Sequence, residues 1–386
     1  MEQELRSGGA VRAQSTLCFS GALVDGPRIQ QLLLHCAAAL ESNDVTLAQQ
    51  AMWVLNNIAS AQGDPNQRLT SSLLRGLVAR ACRTCGSPRA DSMGPPPALG
   101  SQRAMSVTEL ADYVDLTPWH RFGFTASNGA ILRAVAGRDA VHVVDLGVTR
   151  CMQWPTLIDA LSKRPGGPPA LRITVPSVRP AAARRAGRGD RSQAGQLCQT
   201  LCQELACVLS DPPALRLRDG EALVVNCQSW LRHVAPGSRD GFVDAVRALD
   251  PCLVTVTDED ADLDSPSLAT RIAGCFNFHW ILFDALDTSA PRDSPRRLEH
   301  EAAVGQKIES VVGADGTERS ESGARLAERM RRKGFAGVGF GEDEVAEVRH
   351  LLSEHATGWG VKREEDMLVL TWKGHAAVFT TAWAPN

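Results

Sequence analysis

The residues best suited to cofactor chemistry lie in one loop, DLGVTRC at 145–151, which ends the apolar run AVHVVDL. A loop of this kind binds a nucleotide-like ligand when glycines at alternate positions let the backbone come close to it. Asp145 and Gly147 keep the start of an acidic-x-Gly-x-Gly-x-Gly pattern, but Thr149 and Cys151 occupy the later glycine positions. The sequence therefore predicts a cofactor-type loop that has lost its ligand chemistry.

The second strand-like run, LRITV at 171–175, supports the same prediction. In nucleotide-binding sheets, an acidic residue near the end of the second strand holds the ribose hydroxyls. Here the run leads into Pro176-Ser177, which offers no carboxylate. We therefore expect no S-adenosylmethionine binding, no cofactor and no catalytic residue. A small-molecule sensor or methyltransferase-like enzyme that uses the pocket beside Asp145 stays open as an alternative.

No other motif in the sequence indicates catalysis or metal binding. The nine histidines are dispersed, without an HExxH, GxSxG or Walker-type pattern. We interpret His142 as a core imidazole and the acidic run at 258–262 as a solvated loop at the carboxyl end of a strand. Cys82 and Cys85 have a metal-like spacing, but no second CxxC accompanies them, so no metal site is predicted.

Composition and charge exclude several classes of protein. Of the 386 residues, 44% are hydrophobic and 22% are charged, which is typical of a globular protein and not of a disordered or coiled-coil chain. Lys and Arg total 41 against 44 Asp and Glu, so no global positive field attracts nucleic acid or membranes. No apolar stretch has the length of a signal peptide or a membrane span, and we expect an intracellular protein without membrane contact.

Helical periodicity dominates the first third of the chain. Residues 1–26 predict a flexible leader, and residues 27–135 predict a mainly helical cap that includes a surface loop at 86–104. The cap contains more leucine than one buried helix face requires, so some of these side chains are candidates for a dimer or partner surface. The candidates are Leu32, Leu33, Leu73, Leu74 and Leu77.

Short apolar runs alternate with helical stretches over residues 136–386. The runs lie at 140–146, 171–175, 215–218, 222–227 and 253–258. Strands that alternate with helices predict parallel pairing with both sheet faces covered. The chain closes with EDMLVLTWK, a Gly374-His375 turn and AAVFTTAW, which predict an antiparallel hairpin. The predicted fold class is α/β: a methyltransferase-type Rossmann-like core with a C-terminal antiparallel hairpin, plus the N-terminal helical cap.

Several motifs, in order along residues 27–386, resemble those of the plant GRAS family of transcriptional regulators. The most specific is VHVVD followed by QWP, which is similar to the VHIID signature of that family. Its residues are Val141, His142, Val143, Val144, Asp145, Gln153, Trp154 and Pro155. The leucine-rich helices at 29–80 and the segment Gln196–Leu209 resemble the two leucine-rich regions of the family.

The C-terminal half continues the resemblance. The segment Phe276–Asp284 resembles the PFYRE region, and Trp359, Trp372 and Trp383 lie in a segment similar to the SAW region. PWHRFGF at 118–124 and TWKGH at 371–375 are similar to a scarecrow-like subgroup of the family. We expect the three tryptophans to be mainly structural, because large rings bury much apolar area.

The resemblance implies a nuclear protein, without enzymatic activity, that regulates transcription by docking on DNA-binding transcription factors. It also implies homo- or hetero-dimers with other GRAS-like proteins. Two basic clusters are candidates for import or DNA contacts: Arg184 and Arg185, and Arg331, Arg332 and Lys333. Direct DNA binding through the basic loop 176–195 is a further alternative, in which arginines neutralise phosphates without reading bases.

Overall fold

The computed structural model describes residues 26–84, 111, 114–147, 151–175, 215–313 and 319–386. The main helices of these ranges are α1 (Gly26–Glu41), α2 (Val45–Ile58), α3 (Pro65–Thr84), α4 (Trp119–Ala134), α5 (Trp154–Ser162), α6 (Arg239–Ala248), α7 (Leu268–Ser289), α8 (Pro295–Gly313), α9 (Gly323–Arg332) and α10 (Glu342–Ser353). The strands are β1 (Ala140–Asp145), β2 (Ala170–Thr174), β3 (Ala222–Gln228), β4 (Leu253–Glu259), β5 (Phe335–Gly337), β6 (Trp359–Glu364), β7 (Met367–Trp372) and β8 (His375–Pro385).

One mixed sheet forms the centre of the fold. Its strand order is β2-β1-β3-β4-β8-β7-β6, and the short β5 pairs with β8. Strands β2, β1, β3 and β4 are parallel, whereas β8 runs antiparallel to both β4 and β7. The chain therefore passes from β1 to β2 on one side and returns to β3 on the other, which places a topological switch point between β1 and β3. This arrangement confirms the predicted Rossmann-like core with an antiparallel C-terminal end.

Helices cover both faces of the sheet, because side chains along each strand alternate between two apolar cores. Val141 and Val143 of β1 join the core that contains α4, α7 and the N-terminal helices. Val144 joins the core on the opposite face, with residues of α6 and α9. The strands are consequently apolar on both sides, which explains why they are readable as short hydrophobic runs.

Local sequence signals set several element boundaries. At the start of α3, Asp64 Oδ1 accepts from the backbone N–H of Gln67 at 2.9 Å, and Gln67 Oε1 accepts from the backbone N–H of Asp64 at 3.0 Å. This reciprocal pair satisfies two amide donors at the helix end. In the β7–β8 hairpin, Lys373 and Gly374 both have positive φ, as a two-residue type I′ turn requires. The turn thus begins one residue before the predicted Gly374-His375, and His375 starts β8.

The helical cap is assembled differently from the expected division at residue 135. Helix α1 packs on α7, and α3 packs on α7 and α8, so the cap includes two helices from the C-terminal half of the chain. Gly76 and Gly313 let α3 and α8 cross closely: a Cβ on Gly313 would lie 3.1 Å from the Gly76 carbonyl oxygen. Helix α4, which the sequence analysis assigned to the cap, packs against β3, β4, β8 and α10.

Some predictions about individual elements need correction. Residues 215–218 form no strand: Arg216 has a positive φ of 49°, and the backbone carbonyls of Leu215 and Arg216 accept hydrogen bonds from the Arg172 guanidinium at 3.1 and 3.0 Å. Strands β5 and β6 were not predicted. The leader up to residue 25, the loop 86–104, the basic loop 176–195 and Gln196–Leu209 lie outside the described residues.

Candidate functional site

The carboxylate of Asp145, at the end of β1, is buried and bonded within the chain. Its Oδ2 accepts from the indole Nε1–H of Trp154 at 2.8 Å. Its Oδ1 accepts from the backbone N–H of Gly147 at 2.8 Å and from Nδ2 of Asn226 at 3.1 Å. Asp145 is 2% exposed and Trp154 is 3% exposed. Three donors occupy most of the acceptor capacity of one carboxylate, so Asp145 ties β1, its following loop, α5 and β3 together.

A network of buried amides extends from this carboxylate. Gln153 Oε1 accepts from Asn226 Nδ2 at 3.1 Å, and Gln153 Nε2 donates to Asn128 Oδ1 at 3.0 Å. Thr255 Oγ1 donates to Asn226 Oδ1 at 2.8 Å. The network joins α4, β3, β4 and the start of α5 at the carboxyl ends of the parallel strands, where folds of this type bind ligands. The side chains of this network, Asn128, Asp145, Gln153, Asn226 and Thr255, are therefore paired with one another.

The same network explains why position 147 is occupied by a glycine. A Cβ on Gly147 would lie 2.8 Å from Asp145 Oδ1, which is too close, and 3.2 Å from Gln228 Cβ, which is tight. The small residue thus makes room for neighbouring protein atoms. Cys151 is exposed with a positive φ of 65°, and Thr149 lies outside the described residues.

The other residues of the VHVVD-QWP motif are structural in their surroundings. His142 is fully buried, and its Nε2 lies 2.8 Å from Thr174 Oγ1. Burial, reinforced by the nearby Arg172 cation, lowers the pKa of His142. A neutral, hydrogen-bonded imidazole matches its interpretation as a core residue. Val141, Val143 and Val144 are buried, and Pro155 lies in the exposed first turn of α5.

The acidic run 258–262 is not a solvated loop at its start, as the sequence analysis proposed. Asp258 and Glu259 end β4 and are 3% and 6% exposed. Arg232 bonds to both, at 3.1 and 2.9 Å, and Lys307 contacts Glu259. Burial opposes ionisation of Glu259, but Arg232 and Lys307 outweigh it and hold its pKa far below the usual range. Sequence reasoning missed this group because its cations come from distant parts of the chain.

The candidate leucines of the cap lie inside it. Leu33, Leu73 and Leu77 are fully buried and Leu74 is 8% exposed. Leu32 is partly buried against the same core. Their side chains pack against α7, α8 and one another, so they are poor candidates for direct contact with another protein.

A different surface of the cap is open. We call it the cap groove: an apolar depression of about 250 Å³ between α1, α2 and α3. Residues that line it include Leu40, Val45, Ala48, Met52, Val78 and Ala81. Val45 and Val78 are 42% and 44% exposed, and Trp53, adjacent to Met52 on α2, is 69% exposed. Large apolar side chains that cluster at the surface are typical of interaction sites.

Comparison with known proteins identifies the family. A family profile described as the GRAS domain family matches residues 29–384. The chain belongs to the GRAS domain family. This result confirms the resemblance found in the sequence.

Individual GRAS relatives are similar over nearly the whole chain. Scarecrow-like protein 32 of Arabidopsis thaliana is 43% identical over 391 residues, which cover 94% of this chain and 94% of that protein. Scarecrow-like transcription factor PAT1 of the same species is 29% identical, covering 91% and 75%. The chain also superimposes on the crystal structure of SCL7 in Oryza sativa with a TM-score of 0.72. The two sequences are 25% identical, and the comparison covers 92% of this chain and 99% of that one.

The tryptophans of the SAW-like region of this GRAS chain lie on β6, β7 and β8, at the antiparallel end of the sheet. Trp372 and Trp383 are fully buried, and the indole Nε1–H of Trp372 donates to Asp284 Oδ2 at 2.6 Å. Trp359 packs on Trp372 with ring centroids 4.9 Å apart. These contacts support the structural role expected of them and join the C-terminal hairpin to α7.

The basic clusters differ in what the structure describes. Arg184 and Arg185 lie outside the described residues. The cluster at the end of α9 is paired with acidic side chains, which offset its positive field. The pairs are Arg331–Glu365 at 2.6 Å, Arg332–Asp240 at 3.2 Å and Lys333–Asp244 at 2.7 Å.

The part of the chain that the structure describes offers neither a metal site nor a membrane-spanning helix. There, no group of three His, Cys, Asp or Glu side chains is arranged to hold a metal ion. None of the helices described is long and apolar enough to cross a membrane.

Proposed function

We propose that this chain regulates transcription as a protein scaffold that binds DNA-binding transcription factors and other GRAS-like proteins. Family membership and the similarity to Scarecrow-like transcription factor PAT1 support the regulatory role. A regulator of this kind acts in the nucleus, and we propose that localisation for the chain. The proposal includes no enzymatic step.

The observation that carries the scaffold role is the cap groove. Its lining is mainly apolar and includes the polar residues Asn43, Asp44 and Gln49, and the exposed Trp53 follows the lining residue Met52 on α2. Grooves between helices bind the apolar face of an amphipathic partner helix, whose anchors recur at helical spacing. Aromatic side chains at such sites contribute strongly to binding energy. The groove therefore suits a helix from a transcription factor or a second GRAS-like chain.

The alternative of a cofactor enzyme or sensor beside Asp145 has less support. A ligand there would have to displace Trp154, Asn226 or the Gly147 amide from a buried carboxylate. Replacing a charge-assisted hydrogen bond inside a protein costs on the order of 1–3 kcal/mol for each donor lost. Calorimetry with millimolar S-adenosylmethionine tests this alternative: micromolar binding that Asp145→Ala abolishes would favour it.

A gel-shift experiment separates the scaffold role from direct DNA binding. To find a partner, the intact chain is first fused to a biotin ligase, which labels neighbouring proteins in plant nuclei. A DNA-binding factor labelled in this way is then purified and combined with its DNA site for the gel shift. We expect the chain alone to leave the DNA unshifted at about 0.15 M salt, and to supershift the complex of factor and DNA. A shift by the chain alone would favour the basic loop 176–195 as a DNA-binding segment.

A further inference from the structure

A polar cavity lies beneath the cap, at the carboxyl end of β4 and apart from the Asp145 network. Its volume is about 120 Å³. Its lining includes the apolar side chains of Trp119, Leu282 and Val304 and the polar side chains of His279, Glu259 and Lys307. Lys307 is 26% exposed, so solvent reaches this side of the cavity. The cavity is separate from the cap groove and shares none of its lining residues.

His279 presents one hydrogen-bond acceptor to this cavity. The ring is fully buried, and its Nδ1 lies 2.9 Å from the backbone carbonyl oxygen of Cys275. A carbonyl oxygen only accepts, so Nδ1 must carry the proton. In the neutral ring Nε2 is then an acceptor, and it has no hydrogen-bond partner among the residues that the structure describes. Buried polar atoms are nearly always paired, so Nε2 of His279 needs a donor that the described residues do not supply.

The charges around the cavity favour a neutral occupant. Burial lowers the pKa of His279 to about 4, so the ring is uncharged near pH 7. The cations Arg232 and Lys307 are balanced by Asp258 and Glu259, with which they form ion pairs. A charged ligand would have to break one of these pairs or bring an unbalanced charge into a buried space.

We propose that this cavity binds a small neutral hydroxyl compound whose O–H donates to Nε2 of His279 and whose apolar body packs against Trp119. The volume of about 120 Å³ is somewhat below the about 150 Å³ of a cavity that accommodates benzene, so a single six-membered ring is about the largest body that it holds. The inference goes beyond the scaffold function and does not depend on it. The cavity is a ligand site inside the GRAS core, and occupancy there would couple α4, α7 and α8.

Three matched aromatic probes test the proposal on the intact chain. Phenol carries the O–H donor, anisole replaces that proton with a methyl group, and benzoate adds a negative charge. We expect phenol to bind with a Kd on the order of 1 mM and to raise the melting temperature. Anisole and benzoate should bind at least tenfold more weakly, as isothermal titration calorimetry would measure.

A variant and the probe series together decide the outcome. His279→Phe keeps a ring of similar size but removes the acceptor, so it should abolish the preference for phenol over anisole. The comparison of phenol with anisole on the unaltered chain stands even if that variant folds poorly. The proposal is overturned if phenol and anisole bind equally well. It is also overturned if no probe binds up to 10 mM, on the order of ten times the expected Kd, and the cavity is then filled by water alone.

Discussion

The indole nitrogen of Trp154 and the carboxylate of Asp145 meet at 2.8 Å, although the two residues belong to different elements. Both are part of the VHVVD-QWP motif, so the motif encodes a contact between the end of β1 and the start of α5. The same carboxylate also accepts from Gly147 and Asn226. At this position, where Rossmann-like folds usually place a ligand, the chain uses its polar groups to stabilise its own structure.

Replacing Trp154 with Phe should destabilise the fold. The variant keeps an aromatic ring but removes the N–H donor, which leaves Oδ2 of buried Asp145 without that partner. We expect a loss of about 1–3 kcal/mol in the free energy of unfolding, measured by urea denaturation. Trp53→Phe is the matched control, because Trp53 is 69% exposed and should tolerate the change. If Trp154→Phe has the same free energy of unfolding as Trp53→Phe, a structural role for the hydrogen bond is contradicted.

Two glycines in the C-terminal region should respond differently to alanine. Gly358 has a φ of 126°, and a Cβ there would lie 2.8 Å from the Trp372 ring, whereas Gly374 has a φ of 86° and no atom within 4 Å of that position. Gly374→Ala therefore carries backbone strain of about 1 kcal/mol, and Gly358→Ala adds a clash with a buried ring. We expect the lower melting temperature for Gly358→Ala in differential scanning calorimetry. If the two variants have the same melting temperature, the packing of Trp372 against Gly358 is not a constraint on the fold.

Three buried histidines should make stability depend on pH. Burial lowers the pKa of His120, His279 and His300 to about 4, from an ordinary value of 6.5. The unfolded chain therefore takes up these protons at higher pH than the folded chain does. Their contribution to stability is complete above pH 6.5 and is lost as the pH falls from 6.5 towards 4.

Urea denaturation across that pH range checks the dependence. The unfolding midpoint should fall towards pH 4.5 in the unaltered chain and fall less in His279→Phe, which has one titrating group fewer. His35→Gln serves as a control, because His35 is exposed. A midpoint that does not change between pH 7 and pH 4.5 would mean that these histidines do not limit stability in acid.

The sequence was sufficient for the features that depend on local pattern. Periodicity indicated β1, β3 and β4 within one or two residues, because strands buried on both faces are continuous apolar runs. It did not indicate that Glu259 is buried, since its partners Arg232 and Lys307 lie 27 and 48 residues away. Leucine density likewise could not distinguish a core from a contact surface. Only the packing of α3 on α7 and α8 shows that Leu73 and Leu77 are internal.

The affinity of the chain for a labelled transcription factor, measured with Val78→Asp, tests the scaffold account most directly. Val78 lines the cap groove at 44% exposure, and Ile158 on α5 is 48% exposed at a site that does not line it, so Ile158→Asp is the matched control. A carboxylate in an apolar contact is poorly compensated, so Val78→Asp should weaken binding at least tenfold with an unchanged melting temperature. Ile158→Asp should bind like the unaltered chain. Undiminished binding by Val78→Asp would contradict the groove as the docking surface.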